Sequence, residues 1–363
     1  MSVRSAPLFA FALLACVSVG FLYIGHRDTD FLSFYAGARL AGSSGLYSVQ
    51  SAHALEAVYE QHPAEVRAYI RPPFYAAALW PLGRLPYRMA AIAWQLLNVA
   101  ALAGFVLLWA PRVPSHVLAC TFFPLFVDLW VGQDVPILLF LVALSVSLLS
   151  RRRNFLAGLV MALCAAKFHL FLLLPLLILS KRMGRFAAGL AVGGLGLLAV
   201  SFAAAGPRWI FRYLALLKQN ETHQATQSYM PNLIGLFHAV PFAGPCIALL
   251  SLAVAIGFCF AARRVDLPHA VALMLFCGVV VGLHSLMYDL GFLLPWLLLR
   301  DTLTASFRIA ALLSLTCFVL SIPSLAWLGA LAVFAILLLD LTSIIAADAR
   351  RRRVRPFATF ATP

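Results

Sequence analysis

Side chains able to do chemistry are scarce in this chain and fall into a few tight groups. Arg27-Asp28-Thr29-Asp30 sets two carboxylates, Asp28 and Asp30, ahead of a helical pattern. In it Phe31, Phe34, Tyr35 and Ala38 share one face at i, i+3, i+4 and i+7, and Gly42 can close the helix. An Asp there has two roles open to it. It caps the helix, or it is a carboxylate held at the lipid–water boundary to take a proton from an attacking hydroxyl. Arg71-Pro72-Pro73-Phe74 offers a guanidinium whose planar fork matches phosphate oxygens. The same residue can instead be an interfacial anchor whose head snorkels to water.

Further along, Gly132-Gln133-Asp134 brings an amide and a carboxylate to a turn between apolar runs. Gln219 to Asn232 is dense in amides and hydroxyls, with Asn220 and Asn232 near its ends. Such groups suit sugar hydroxyls, and they also suit any loop. His284, Tyr288 and Asp289 cluster at helix ends. Charged groups at membrane depth are costly and usually functional, so His284 is a candidate for binding phosphate or assisting proton transfer. The alternative is a solvated turn. Lys167 and His169 sit mid-way in an apolar stretch, placed to reach an anionic headgroup from below or to snorkel to the nearer surface.

No Walker A loop, Gly-rich dinucleotide loop or HExxH occurs, and no segment is left over to hold a nucleotide sugar. No cofactor is expected, and no carboxylate pair suited to a divalent metal is evident. The seven Cys fall inside apolar runs with no CxxC, which reads as small buried hydrophobes. Leu13-Leu14-Ala15-Cys16 resembles a lipoprotein cleavage box, but the apolar run continues to Ile24 and reads as an uncleaved helix.

The elements that carry these groups follow from composition. Of 363 residues, 63% are apolar and 11% charged, whereas a soluble domain is about a quarter charged. Apolar runs of helix-crossing length recur from end to end, without the alternation of barrel strands. The fold class is therefore an all-α polytopic integral membrane protein. Its net charge of +14 comes from arginine clusters between the runs. This is the positive-inside pattern rather than a nucleic-acid-binding surface.

Threading the chain by that rule gives about ten full crossings. They cover residues 6–25, 88–110, 115–130, 135–150, 186–204, 241–262, 268–283, 290–300, 309–321 and 324–346. Stretch 155–180 is basic at both ends and ionisable in the middle, which a broken pair of half-crossing helices explains; one long crossing is the alternative. Residues 26–87 and 205–240 become the two long extracytoplasmic loops, the first carrying a helix that lies flat on the bilayer. Residues 1–350 form one transmembrane domain and 351–363 a basic cytoplasmic tail. Both termini are expected in the cytoplasm of a plasma (inner) membrane of bacterial type. Asp28/Asp30, Gln133/Asp134, Asn220 to Asn232 and His284/Tyr288/Asp289 all fall on the opposite face.

Several of these motifs together resemble glycosyltransferase family 87. They are Asp30-Phe31, Tyr35, Ala38-Arg39 and Gly45-Leu46-Tyr47, then Arg71-Pro72-Pro73-Phe74, Pro81-Leu82, Leu85-Pro86, Trp94 and Leu97-Asn98. Gly132-Gln133-Asp134, Arg151 to Arg153, Ala157-Gly158, Ala166-Lys167, Tyr288-Asp289 and Pro295 follow in the same order. The resemblance covers about residues 28 to 300. It implies a GT-C-like fold and an inverting transfer of a mannose-like or pentose sugar from a polyprenyl-phosphate donor to a lipid or glycan hydroxyl. It also implies Asp30 as general base and His284 near the donor phosphate. Arg71 and Lys167 are further candidates for the leaving phosphate, which needs cationic or hydrogen-bonding stabilisation. Asp28, Tyr35, Gln133, Asp134, Asn220, Asn232, Tyr288 and Asp289 are candidates for sugar or acceptor. The competing readings are a transporter or lipid flippase, with Lys167, His169 and Asp128 along its path, and a structural membrane subunit.

Overall fold

The computed structural model describes residues 6–22, 30–59, 68–223, 225–300 and 302–354. Among them there are helices and no strands. In chain order the helices are α1 (Ala6–Phe21), α2 (Asp30–Leu40), α3 (Val49–Glu56), α4 (Pro73–Gly83) and α5 (Tyr87–Trp109). Then come α6 (Val113–Thr121), α7 (Phe123–Val131), α8 (Val135–Ser150), α9 (Asn154–Ala162), a 3-10 segment Leu163–Leu170 and α10 (Leu174–Lys181). Next are α11 (Gly184–Ala205), α12 (Trp209–His223), α13 (Leu233–Leu236), α14 (Gly244–Ala262) and α15 (Leu267–Val281). A 3-10 segment Met287–Leu293 leads to α16 (Leu294–Leu298), α17 (Leu303–Leu320) and α18 (Ala326–Val354).

Five described helices are long and apolar enough to cross a bilayer: α5, α11, α14, α17 and Ala326–Asp348 of α18. Backbone groups in lipid must be satisfied within the segment, and these helices do so. The protein is therefore a multi-pass membrane protein. A count of ten needs the shorter apolar helices to cross as well. The expected crossing at 115–130 is bent by 54° between α6 and α7, where Pro124 removes a backbone donor near the start of α7. Val192, Leu195 and Phe202 of α11 remain exposed, an apolar surface suited to lipid chains.

The chain forms two compact units. One comprises residues 1–168, 184–225 and 288–311; the other comprises 169–183, 226–287 and 312–363. In the first, Gly158 abuts Phe186 and Leu190, while Gly193 abuts Ala162 and Leu159. Contacts rise in step along both helices, so α9 and α11 run side by side in the same direction. Both start at basic ends, Arg151-Arg152-Arg153 and Lys181-Arg182. The chain between them must double back. The break falls at Lys167, whose φ of −121° and ψ of 48° leave the helical region.

One expectation fails. The α2 helix does not lie flat with one apolar face on a bilayer surface. Phe31 to Ala38 are buried on every side. The side that looks open in the sequence is closed by close approach: Gly37 lies against the Tyr69 ring, and Gly83 of α4 sits against Ala38. Phe31 stacks on Trp94 with centroids 5.4 Å apart and on Tyr87 at 6.1 Å, which docks the start of α2 onto α5. Gly42 then ends the helix with φ +85°, and its N–H donates to Ala204 at 2.8 Å.

The second unit has its own core. Asn232 Nδ2 donates to Gly282 O at 2.9 Å while its Oδ1 caps Gly235 N. Arg264 Nε pairs with Asp348 Oδ2 at 2.7 Å. His169 and His284 rings lie 6.2 Å apart edge to face.

Candidate active site

The site is built on a turn. Helix α7 ends at Gly132, whose φ of +75° only glycine adopts freely. A Cβ there would come 2.8 Å from Phe31 Cβ, so the turn presses against the first residues of α2. Helix α5 holds the turn from its other side. Trp94 Nε1 donates to Gly132 O at 2.9 Å, and Gln95 Nε2 donates to Leu129 O at 2.7 Å. The two residues after Gly132 are thereby fixed as Gln133 and Asp134 at the head of α8.

Asp134 is the hub. Its side chain is fully buried, with Oδ2 accepting from Tyr75 OH at 2.9 Å and Oδ1 accepting from Arg71 Nη2 at 3.2 Å. Lys167 Nζ lies 3.3 Å from the same Oδ1 and donates to Asp289 Oδ1 at 2.7 Å. Burial pushes the Asp134 carboxyl upward, but Arg71, Lys167 and the Tyr75 hydroxyl outweigh it and hold it below the usual carboxylate range. For Arg71, burial opposes the charge and Asp134 more than restores it. Each ion here is paired and hydrogen-bonded, the condition for keeping charge away from water.

Asp30 is the half-buried end of the network. Gln133 Nε2 donates to Asp30 Oδ2 at 2.7 Å, and Gln133 Oε1 accepts from Arg71 Nη2 at 3.0 Å. Arg71 can only donate, so it fixes the amide with its oxygen toward the guanidinium and its N–H toward the carboxylate. The chain of contacts runs Asp30, Gln133, Arg71, Asp134, Lys167, Asp289. Tyr288 flanks it, with Lys167 Nζ 4.9 Å from its ring centroid.

The expected residues thus divide. Asp30, Arg71, Gln133, Asp134, Lys167, Tyr288 and Asp289 come together in the first unit. Arg71 and Lys167 are buried, with 6% and 2% of their surface exposed, so neither snorkels, and Lys167 turns inward to two carboxylates instead of toward a headgroup. Asp289 is buried rather than in a solvated turn. Tyr35 serves the fold: its OH donates to Leu85 O at 2.9 Å and receives Arg39 Nη1 at 3.3 Å. Asn232 is spent on the Gly282 and Gly235 clamp in the second unit, where His284 also lies. Asn220 falls in α12 with its side chain outside the described residues, and Asp28 lies outside them altogether.

Tyr75 is the member that the sequence hides. It reads as one more aromatic in an apolar run, although it stands in the first turn of α4, four residues after Arg71. Asp128, which a permeation path would need, is tied to the same turn by Val135 N at 3.2 Å rather than spread along a route.

Among the described residues this arrangement offers a half-buried carboxylate that accepts from a neutral amide and is backed by buried charge. The sequence model of glycosyltransferase family 87 matches residues 69–288, a span that contains Arg71, Gln133, Asp134, Lys167 and Tyr288 and begins after Asp30. No curated protein and no solved structure matches the chain. Because the matched span exceeds half of the sequence and includes most of the network, the chain belongs to glycosyltransferase family 87.

Proposed function

We propose that this glycosyltransferase moves a mannose-like or pentose sugar from a polyprenyl-phosphate donor to a hydroxyl of a lipid or glycan acceptor, with inversion, on the extracytoplasmic face of a bacterial plasma membrane. Asp30 is the general base. Its carboxylate takes the acceptor proton as the acceptor oxygen bonds to the anomeric carbon and the bond from that carbon to the phosphate oxygen breaks. Polyprenyl phosphate leaves with the bonding pair and needs no proton.

The observation that carries this reading is the 2.7 Å bond from Gln133 Nε2 to Asp30 Oδ2. An amide donor orients a carboxylate, yet has no proton to give up. Arg71 stands behind it. Its Nε has no hydrogen-bond partner in the buried site, so the guanidinium keeps a donor for a phosphate oxygen after binding Gln133 and Asp134. Lys167, shared by Asp134 and Asp289, acts by holding those carboxylates.

A lipid-borne donor fits a chain without nucleotide motifs and with apolar helices exposed along their length. The membrane then supplies the donor, the acceptor comes from the envelope side, and both termini stay with the arginine clusters in the cytoplasm. No nucleic acid or cofactor enters. The test is donor choice by purified protein in nanodiscs. Transfer is expected from a polyprenyl-phosphate sugar and not from a nucleoside-diphosphate sugar; efficient direct use of the nucleotide sugar overturns the proposal.

A further inference from the structure

Beside the network, the α5–α7 contact holds three buried acceptor oxygens without a hydrogen-bond partner: Gln95 Oε1, Asn98 Oδ1 and Asp128 Oδ2. The three residues are 2%, 0% and 0% exposed. They belong to one neighbourhood. Gln95 Nε2 donates to Leu129 O at 2.7 Å, next in the chain to Asp128. Asn98 stands one turn further along α5 on the same side. The amide orientations are fixed, because the nitrogens of Gln95 and Asn98 already donate to the carbonyls of Leu129 and Trp94. A flip would set oxygen against oxygen.

Charge gives a second, independent count. Asp134 and Asp289 pair with Arg71 and Lys167, whereas the buried carboxylate of Asp128 stands in no ion pair among the described residues. One negative charge and three acceptors therefore remain to be satisfied in a region shielded from water. A proton on Asp128 removes the charge but supplies a single O–H, which serves one amide oxygen and leaves the other bare. A water donates to two of the three oxygens and leaves the charge in place. A divalent ion reverses the imbalance. One monovalent cation answers both counts, and an all-oxygen set of carboxylate and amide carbonyls suits a hard alkali ion.

We infer that Asp128, Gln95 and Asn98 form a binding site for a monovalent alkali cation of sodium's class, which braces the α5–α7 contact behind the Gly132 turn. The site does not depend on the transferase reading, and it is tested without turnover. Full-length protein in nanodiscs is titrated with NaCl at constant ionic strength set by choline chloride, and thermal unfolding is followed by tryptophan fluorescence. KCl and LiCl series show which ion is preferred.

The midpoint of the wild type should rise saturably with Na+, by about 5 °C when the ion is in roughly hundredfold excess over its Kd. Asp128→Asn balances the buried charge without an ion, so it should fold and lose the response. Asn98→Ala should keep the response with affinity lowered at least about tenfold, because one of the three oxygen ligands is lost. The inference is overturned if the wild type responds equally to Na+, K+, Li+ and choline, or if Asp128→Asn keeps the wild-type Na+ curve. A midpoint that follows pH and ignores every alkali ion assigns a proton to Asp128 and overturns it too.

Discussion

Lys167 Nζ sits 2.7 Å from Asp289 Oδ1 and 3.3 Å from Asp134 Oδ1, so one ammonium joins the break after α9, the head of α8 and the 3-10 segment Met287–Leu293. Removing it takes a cation away from both buried carboxylates and leaves Asp134 with Arg71 and Tyr75. Lys167→Met should destabilise the protein by about 3–5 kcal/mol, read as a lowered thermal midpoint in detergent. Adding Asp289→Asn to that variant should recover part of the loss, since one stranded charge is gone. An unchanged midpoint in the single variant would show that the pair holds nothing together.

In the proposed mechanism Gln133 touches the base Asp30 and not the substrate, which makes it a positioning residue. Gln133→Leu should lower kcat about 10–100-fold, the usual consequence of a misaimed base, with KM for the donor little changed. Gln133→Glu is the sharper variant. A second carboxylate beside Asp30 raises the pH at which the base ionises. The acidic limb of the kcat profile should then move to higher pH. A merely structural role for Gln133 predicts the wild-type pH profile in both variants.

Gly132 holds its φ of +75° with no room for a side chain against Phe31. Gly132→Ala adds about 1–2 kcal/mol of backbone strain and pushes the turn away from α2. Activity should fall more steeply than stability, because Gln133 and Asp134 move with the turn. Circular dichroism and turnover measured on the same preparation separate the two effects. A variant that loses stability and keeps full specific activity would show that the turn does not position the site.

The expected orientation can be read at residue 225, in the loop expected on the face away from Arg151 to Arg153. A cysteine placed there, in a background without native cysteines, should react with an impermeant maleimide added to intact cells. Labelling that requires broken cells would invert the threading.

Much of the helical plan was legible because its signals are local. Basic clusters at 151–153 and 181–182 bracket the stretch that breaks, and two ionisable groups mark its middle. Gly132-Gln133-Asp134 announces a turn by composition. The pairing of those groups was not legible. Arg71 and Lys167 read equally well as lipid anchors, and only their meeting with Asp134, far away in sequence, shows them to be internal. The burial of α2 was missed for a similar reason. Ser33, Ala36 and Gly37 look like an open face, yet small residues are also what close packing against Tyr69 requires. Tyr75 gave no polar signal of its own, because an aromatic in an apolar run is ordinary until a carboxylate is found opposite its hydroxyl.

The role of Asp30 as base is tested most directly by the turnover of Asp30→Asn with a polyprenyl-phosphate sugar in nanodiscs. Asparagine keeps the shape and can still hydrogen-bond to Gln133 after its amide turns, but it cannot accept the acceptor's proton. The thermal midpoint should stay near that of the wild type, while kcat falls about 10²–10⁴-fold, the usual contribution of a positioned base. Wild-type-like turnover by a folded Asp30→Asn would contradict the mechanism.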